Sequence, residues 1–457
     1  MNELQSIVEA YAEARARGER AALATVVGVE GSAYRRPGAR MLVTEGGRTA
    51  GAISAGCLER DVTERAAQVF GSGAARVVVY DTRGSEDVVW GLGLGCNGVV
   101  RVLLESLHEG SQGARALSFI AELLRSRAEG VIATLVGAEQ TTARRRGAGV
   151  EEGGAVRSKK AGVPDWSNEI GAAGWSNEVG ALGWSNEVGA RLLFECRGDG
   201  QEARRLAPSF ADDFSPLDGQ GARLREDARA ALAGGRALTL AYETDRGRAE
   251  IFFDVIRCPR PVVVFGAEPD AVHVVGMART LGWHVTVVDT RARPATPERF
   301  RLADEVVLCR AEDVAERLRL TSDTAAVVMT HNYLDDVELL RALLPSPAAY
   351  VGLLGPRQRT AKLLAELRDA GCRLTASQLA RLHGPVGIDI GAETPEEIAL
   401  SVVAEIKAAC EGRGAGYLRE RGAPIHEECA AANAPAGFEL DARGAGEMAA
   451  GVACGLS

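Results

Sequence analysis

Sulfur and guanidinium groups set among glycines are the first residues in this sequence that offer chemistry. In GSAYRRPGARMLV (31–43), Gly31, Pro37 and Gly38 punctuate a loop between two predicted strands and place Arg35 and Arg36 on it. Guanidinium groups there can form the bidentate hydrogen bonds that suit phosphate and other anions; a solvated hairpin tip is the plain alternative. In ISAGCLERDV (53–62), Cys57 follows Gly56 and precedes a segment that can begin a helix. A thiol at a helix N-terminus sits among unpaired backbone N–H groups, which favour the thiolate that binds metal or accepts sulfur. An ordinary buried cysteine is the alternative reading. WGLGLGCNGVVRVLLE (90–105) sets Gly91, Gly93, Gly95 and Gly98 around Cys96 and Asn97. Such a loop lets a ligand or another segment approach the backbone closely, and the VVRVLLE that follows reads as a strand central to its sheet.

A second group of candidates lies at strand ends. VVVFG (262–266) reads as a buried strand, Gly266 opens a turn into a helix running to about Leu281, and HVTVVD (284–289) is a strand that ends in Asp289. Strand, glycine turn, helix, strand and terminal acid are the parts of a nucleotide site: the helix N-terminus receives phosphate and the carboxylate accepts from ribose hydroxyls. Here, though, Glu268 stands where that fingerprint has a second glycine, and it adds bulk and negative charge where a pyrophosphate would lie. VVMTHNYLDD (327–336) and YVGLLGPRQR (350–359) then put His331, Gly355 and Arg357 just past two more strands, where doubly wound sheets bind ligands. Thr394-Pro395-Glu396-Glu397 needs no function, because it spells a helix capping box.

These residues need positioning elements, and composition bounds what those are. The 457 residues include 53 basic and 62 acidic ones, a net charge of −9 that argues against sequence-independent nucleic-acid binding. No apolar run reaches the ~18–20 residues of a membrane span. The N-terminus reads as a polar amphipathic helix without a signal core, so a cytoplasmic protein with no membrane partner is expected. Nine cysteines are scattered singly without C-x-x-C spacing, which points to free thiols.

The expected fold class is α/β. A mixed α/β domain over 1–258 is followed, past the joint Cys258-Pro259-Arg260-Pro261, by a Rossmann-like parallel-sheet domain over 259–426 and a poorly ordered tail over 427–457. The first domain carries a faint internal repeat. Ala24–Glu30 matches Ala133–Glu139 at an offset of 109, and Gly38–Leu42 matches Gly189–Leu193 at an offset of 151. The extra length of the second copy contains the block Trp-Ser-Asn-Glu at 166, 175 and 184, and is read as a flexible insertion at about 140–188.

Taken together, GSAYRRPGARMLV, ISAGCLE, GLGLGCNG, the turn at Gly266, MTHNYLDD, YVGLLGPRQR and GIDIGAETPEEIALSVVAEI resemble the XdhC/CoxI family of accessory proteins for molybdenum hydroxylases such as xanthine dehydrogenase. The resemblance runs from about residue 10 to His426, apart from the insertion. It implies a chaperone that binds molybdenum cofactor (molybdopterin), supports its sulfuration with a cysteine desulfurase and delivers it to the apo-enzyme of a hydroxylase. It also implies a homodimer with no turnover of its own. On that reading Cys57, in the family's Gly-Cys-Leu/Val-Glu motif, is the candidate metal ligand or sulfur-handling thiol and Cys96 the second candidate. Arg35 and Arg36 would hold the cofactor's phosphate or pterin. Gly56, Gly266, Asp289, His331, Gly355 and Arg357 complete the candidate cofactor-binding set. The alternative is an NAD(P)-dependent oxidoreductase that uses the Rossmann-like domain with His331 as acid and base.

Overall fold

The computed structural model describes residues 3–82, 98–140, 188–197, 205–208, 220–244, 247–291, 293 and 296–422. The fold lies in the unit Met1–Gly416; in the unit Tyr417–Ser457 the described residues hold one 3-10 turn, Leu418–Glu420.

The faint repeat proves to be a structural duplication. The first copy runs α1 (Glu3–Ala16), β1 (Ala21–Gly31), β2 (Arg40–Thr44), β3 (Thr49–Gly51), α2 (Glu59–Ser72), β4 (Arg76–Asp81) and β5 (Gly98–Ser106). The second runs α3 (Gln112–Ser126), β6 (Glu129–Gln140), β7 (Arg191–Arg197), β8 (Arg205–Pro208), α4 (Gly221–Gly234), β9 (Leu238–Thr244) and β10 (Gly247–Ile256). Each copy folds into an antiparallel five-stranded sheet of the same order, β3-β2-β1-β5-β4 and β8-β7-β6-β10-β9. Even the irregularities correspond: a bulge at Val27 interrupts the pairing of β1 with β5, and one at Val136 interrupts that of β6 with β10.

Period-two alternation sorts the strand residues between two faces. Ala22, Ala24 and Val26 pack in one cluster with Val62, Ala66 and Val69 of α2, while Val131, Ala133 and Leu135 do the same with Leu224, Ala228 and Ala231 of α4. The opposite faces meet each other. There Val27 clusters with its counterpart Val136, and Leu103 with its counterpart Phe252.

Inside this sheet-to-sheet contact lie two buried ion pairs, exchanged between the copies. Arg40 of β2 donates to Asp254 of β10, and Arg191 of β7 forms a fork on Glu105 of β5, with contacts of 2.7 and 2.5 Å. Arg40 and Arg191 are equivalent positions, as are Asp254 and Glu105. Nearer the surface Arg101 and Glu250, again equivalent to each other, pair at 2.8 Å. A pseudo-twofold axis therefore runs through the contact. Burial, and then repulsion from Arg191, push the Arg40 guanidinium down to about 10, which still leaves it charged at neutral pH.

The C-terminal part comprises β11 (Pro261–Phe265), α5 (Pro269–Thr280), β12 (His284–Asp289), α6 (Thr296–Arg299), β13 (Glu305–Leu308), α7 (Val314–Arg317), β14 (Ala325–Val328), α8 (Tyr333–Leu343), β15 (Tyr350–Leu353), α9 (Arg357–Asp369), α10 (Ala376–Leu379), β16 (Leu382–His383) and α11 (Pro395–Cys410). Its six strands are parallel, in the order β13-β12-β11-β14-β15-β16. Val262 and Val264 pack in one cluster with α5 and α11, and Val263 and Phe265 in another with α8 and α9. Buried on both faces, these strands have the near-continuous apolar runs that mark parallel sheets. Thr394 and Glu397 form the expected capping box on α11.

Removing one member of a buried pair strands the other charge. Arg40→Met is expected to destabilise the chain by about 3–5 kcal/mol by leaving Asp254 unpaired, and adding Asp254→Leu is expected to recover most of that loss. Urea unfolding of the two variants checks this; a single mutant as stable as the parent would show that the pair is not the lock described.

Candidate functional site

Strand direction gathers the first two constellations at one end of the first sheet. β1 ends there at Gly31, antiparallel β2 begins there at Arg40, β3 ends there at Gly51, and Gly31 pairs with Gly98, where β5 begins. The loops 32–39 and 52–58 therefore lie at the same end. The segment 83–97 leaves and rejoins the sheet beside them, with the Thr82 N–H donating to Gly98 O at 2.9 Å. Gly98 has to be glycine: a Cβ there would collide with the carbonyls of Glu30 and Ser32. Cys96, Gly91, Gly93 and Gly95 fall outside the described residues.

Glu3, at the start of α1, ties two of the loops together. Its carboxylate accepts from the Arg35 guanidinium and, at 3.0 Å, from the Ala52 N–H. Arg35 is thereby committed to an internal ion pair. Arg36 is exposed and its side chain makes no hydrogen bond or ion pair among the described residues, so of the two arginines it is the one left to meet a ligand.

Cys57 is half-buried just before α2, packed against the cluster that includes Ile53 and Leu58. Its surroundings differ from the sequence expectation of unpaired N–H groups. Glu59 folds back so that its carboxylate accepts from the N–H groups of Ile53 (3.2 Å), Ser54 (2.7 Å) and Gly56 (3.0 Å) and from the Ser54 hydroxyl. The Ser54 oxygen in turn accepts from the Gly56 and Leu58 N–H groups at 3.2 and 3.1 Å. The loop is capped by its own carboxylate, and those donors are not offered to a ligand. Gly56, at φ +109°, makes the turn. Burial opposes ionisation of Glu59, yet the Ser54 hydroxyl and the surrounding N–H groups outweigh it and hold the carboxyl below its usual range. The residue types gave no notice of this clamp, because the Ser54–Glu59 spacing is not that of a helix capping box.

In the C-terminal part, the carboxyl ends of β11 and β14 flank the switch point of strand order, where such sheets bind ligands. Gly266 (φ +125°) presses against the Met329 and Thr330 backbone. His331, at φ +57°, places Nε2 2.7 Å from Asp270 Oδ2 across the switch point. Gly355 (φ +135°) opens the turn into α9, and Arg357 lies exposed at the start of that helix.

Two features of this crevice bear on nucleotides. The Glu268 carboxylate, at the N-cap of α5, receives Arg293 at 2.7 Å and Arg291 at 3.4 Å. Asp289, 1% exposed, accepts from the Thr296 hydroxyl at 2.5 Å, from the N–H groups of Arg291 and Arg293 at 3.0 Å each, and from the Arg293 guanidinium at 3.2 Å. Burial alone would raise its pKa, but Thr296 and Arg293 hold it below the carboxylate range. A carboxylate so fully engaged inside its own loop has little left for a ribose.

Among the described residues, no group of three or more His, Cys, Asp or Glu side chains could hold a metal ion, and no helix is long and apolar enough to cross a membrane.

The clamp on Cys57 carries a prediction. Glu59 has a lowered folded pKa, so its stabilising contribution is complete above the unfolded value of about 4.3 and is lost as pH falls through the folded one. Glu59→Gln is expected to reduce amide-exchange protection at Ile53, Ser54 and Gly56 by about tenfold at neutral pH, the loss of about 1.4 kcal/mol of charge-assisted hydrogen bonding. In the parent, the same amides should lose protection only on the acid side of about pH 4. Equal protection in both proteins would mean that the clamp does not hold the loop.

Comparison with known proteins bears on both parts of the chain. The XdhC Rossmann domain description matches residues 262–406, and the XdhC and CoxI family description matches residues 14–81. Over 393 residues the chain is 29% identical to a probable xanthine dehydrogenase subunit of Bacillus subtilis (strain 168), covering 85% of this chain and 92% of that protein. Over 104 residues it is 34% identical to the molybdenum cofactor insertion chaperone PaoD of Escherichia coli (strain K12), covering 23% of this chain and 32% of that one. A crystal structure of a xanthine dehydrogenase from Bacillus halodurans shares the fold, with a TM-score of 0.60 at 24% identity over 90% of this chain and 97% of that chain. Residues 14–81 and 262–406 are thus similar, in that order, to the N-terminal and Rossmann domains of the XdhC and CoxI family.

Proposed function

We propose that the chain is a maturation factor for a molybdenum hydroxylase. On this reading it holds molybdenum cofactor as cargo at the loop end of the first sheet, supports its sulfuration together with a cysteine desulfurase, and delivers it to the apo-enzyme. The observation that carries this reading is the gathering of loops 32–39 and 52–58, with the two ends of segment 83–97, at one end of one sheet. Where the first copy joins β4 to β5 through segment 83–97, the second joins β9 to β10 through residues 245 and 246 alone. The names of the two relatives above, one a molybdenum cofactor insertion chaperone, support the same reading.

The donor set suits a carrier. A half-buried thiol that belongs to no group of three or more metal-binding side chains among the described residues suits a metal that arrives already held by its own organic ligand. One soft sulfur and an exposed arginine, Arg36, give modest affinity, and release requires that. Because Glu59 takes the N–H groups of Ile53, Ser54 and Gly56, those donors do not serve the cargo, and the exposed Arg36 is the charged group that meets it.

The oxidoreductase reading needs a pyrophosphate at the α5 N-terminus and a free carboxylate at the end of β12. Glu268 occupies the first position and Asp289 is engaged at the second. Within the crevice, His331, Gly355 and Arg357 are retained in the proposal as a second contact surface for cargo.

Incubation of the parent and Cys57→Ala with molybdenum cofactor, followed by quantification of retained pterin and by reconstitution of an apo-hydroxylase, tests the proposal. The variant is expected to lose retention or transfer. Equal behaviour of the two proteins would remove Cys57 from the role, and a parent that retains no pterin would overturn the carrier reading itself.

A further inference from the structure

The polar atoms at the pseudo-twofold contact are not all paired. Thr25 Oγ1 and Arg191 Nε are buried without a hydrogen-bond partner, and buried polar groups in folded proteins almost always have one. Both residues line one interior cavity of about 10 Å³, together with Val27, Arg40, Thr134 and Asp254. Thr25 is 4% exposed and Asp254 3%. The Arg191 fork directs both terminal nitrogens to Glu105, and the Nε–H is left without a partner. Thr134, the counterpart of Thr25 in the second copy, also lines this space.

The size, chemistry and charge of this space select one occupant. About 10 Å³ is the threshold for a single water, and a buried water needs two to four polar partners. The ionised groups around the space, Arg40 and Arg191 against Asp254 and Glu105, balance, so no net charge draws in an ion.

We propose that one structural water molecule is bound in this cavity as a ligand shared by the two copies. Its oxygen accepts from the Arg191 Nε–H, and its hydrogens are donated to the hydroxyl oxygens of Thr25 and Thr134. It thereby links β1, β6 and β7 across the contact. This site is independent of the cargo proposal: it would exist in a chain that carried nothing.

An isosteric change gives opposite signs for a wet and a dry cavity. In a dry cavity, Thr25→Val removes an unsatisfied buried hydroxyl and raises the thermal midpoint; in a hydrated one, it deprives the water of a partner and lowers the midpoint. The expected result is a lower midpoint. Oxygen-17 relaxation dispersion on the full-length protein is expected to show one fewer long-lived water per molecule in Thr25→Val than in the parent. Thr25→Ser, which keeps the hydroxyl, should retain that water, so a simple packing defect appears in both variants but loss of the water only in the valine. A raised midpoint in Thr25→Val, or a long-lived water count equal to the parent's, would overturn the proposal.

Discussion

The exchanged ion pairs between the two sheets fix the base of the loop cluster as well as the packing of the copies. Arg40 is the first residue of β2, immediately after loop 32–39, and besides Asp254 it donates to the Gly38 carbonyl at 2.9 Å. Gly38, at φ +96°, lies so close that a Cβ would sit 3.1 Å from Asp254 Oδ1. A carboxylate of the second copy therefore sets the point at which the arginine loop of the first copy rejoins its sheet. Hydrophobic burial would bring the two faces together in many alignments, because it is non-directional. Buried charges with single partners accept few, since any slip leaves four of them unpaired at several kcal/mol each.

Duplication also accounts for the division of labour between the copies. Each was able to present loops at the end of its own sheet, yet only one short link, residues 245 and 246, joins β9 to β10, while the corresponding join in the first copy spans 83–97. Both copies spend a buried acid and an arginine on the contact, Glu105 and Arg40 in the first and Asp254 and Arg191 in the second. The same substitution of partners is visible on the outer faces. Tyr80 donates to Asp61, which is held by Arg65, whereas the equivalent Tyr242 donates to Asp227, which faces Arg223 at 3.7 Å. Acid and base have exchanged places on the helix while the tyrosine keeps its bond. Each buried hydroxyl needed a partner, and which helical turn supplied it was free to drift.

Much of this architecture was legible in the sequence because it rests on local rules. The strands at 262–266 and 284–289, the α5 turn at Gly266, the capping box at Thr394 and the two-copy repeat follow from apolar runs, glycine and cap chemistry, and self-similarity. The tertiary partners were not legible. Arg40 and Asp254 are 214 residues apart and Glu105 and Arg191 are 86 apart, and no periodicity links them. Glu3 and Glu59 act as fasteners of loops 32–39 and 52–58 through contacts that no local sequence rule announces. The expectation most changed by the structure is the helix N-terminus beside Cys57. A carboxylate two positions on takes the N–H groups of Ile53, Ser54 and Gly56 in the loop that leads into it.

That change alters what kind of ligand the loop end can favour. Had the donors of residues 53–58 been free, the site would have resembled a phosphate cradle, strong for any anion. With Glu59 ionised and turned inward, the field at the loop is partly cancelled, and a generic anion gains little there. On the proposed reading, discrimination there rests on softness and shape: sulfur for a thiophilic metal, and Arg36 for one oxygen-rich edge. The C-terminal crevice follows the same logic, because Glu268 and Asp270 put two carboxylates in the first turn of α5 and bind Arg293 and His331 to themselves. At both places the chain supplies its own anion where related folds receive one from a ligand. On the proposed reading, each place thereby favours a cargo that offers something other than charge.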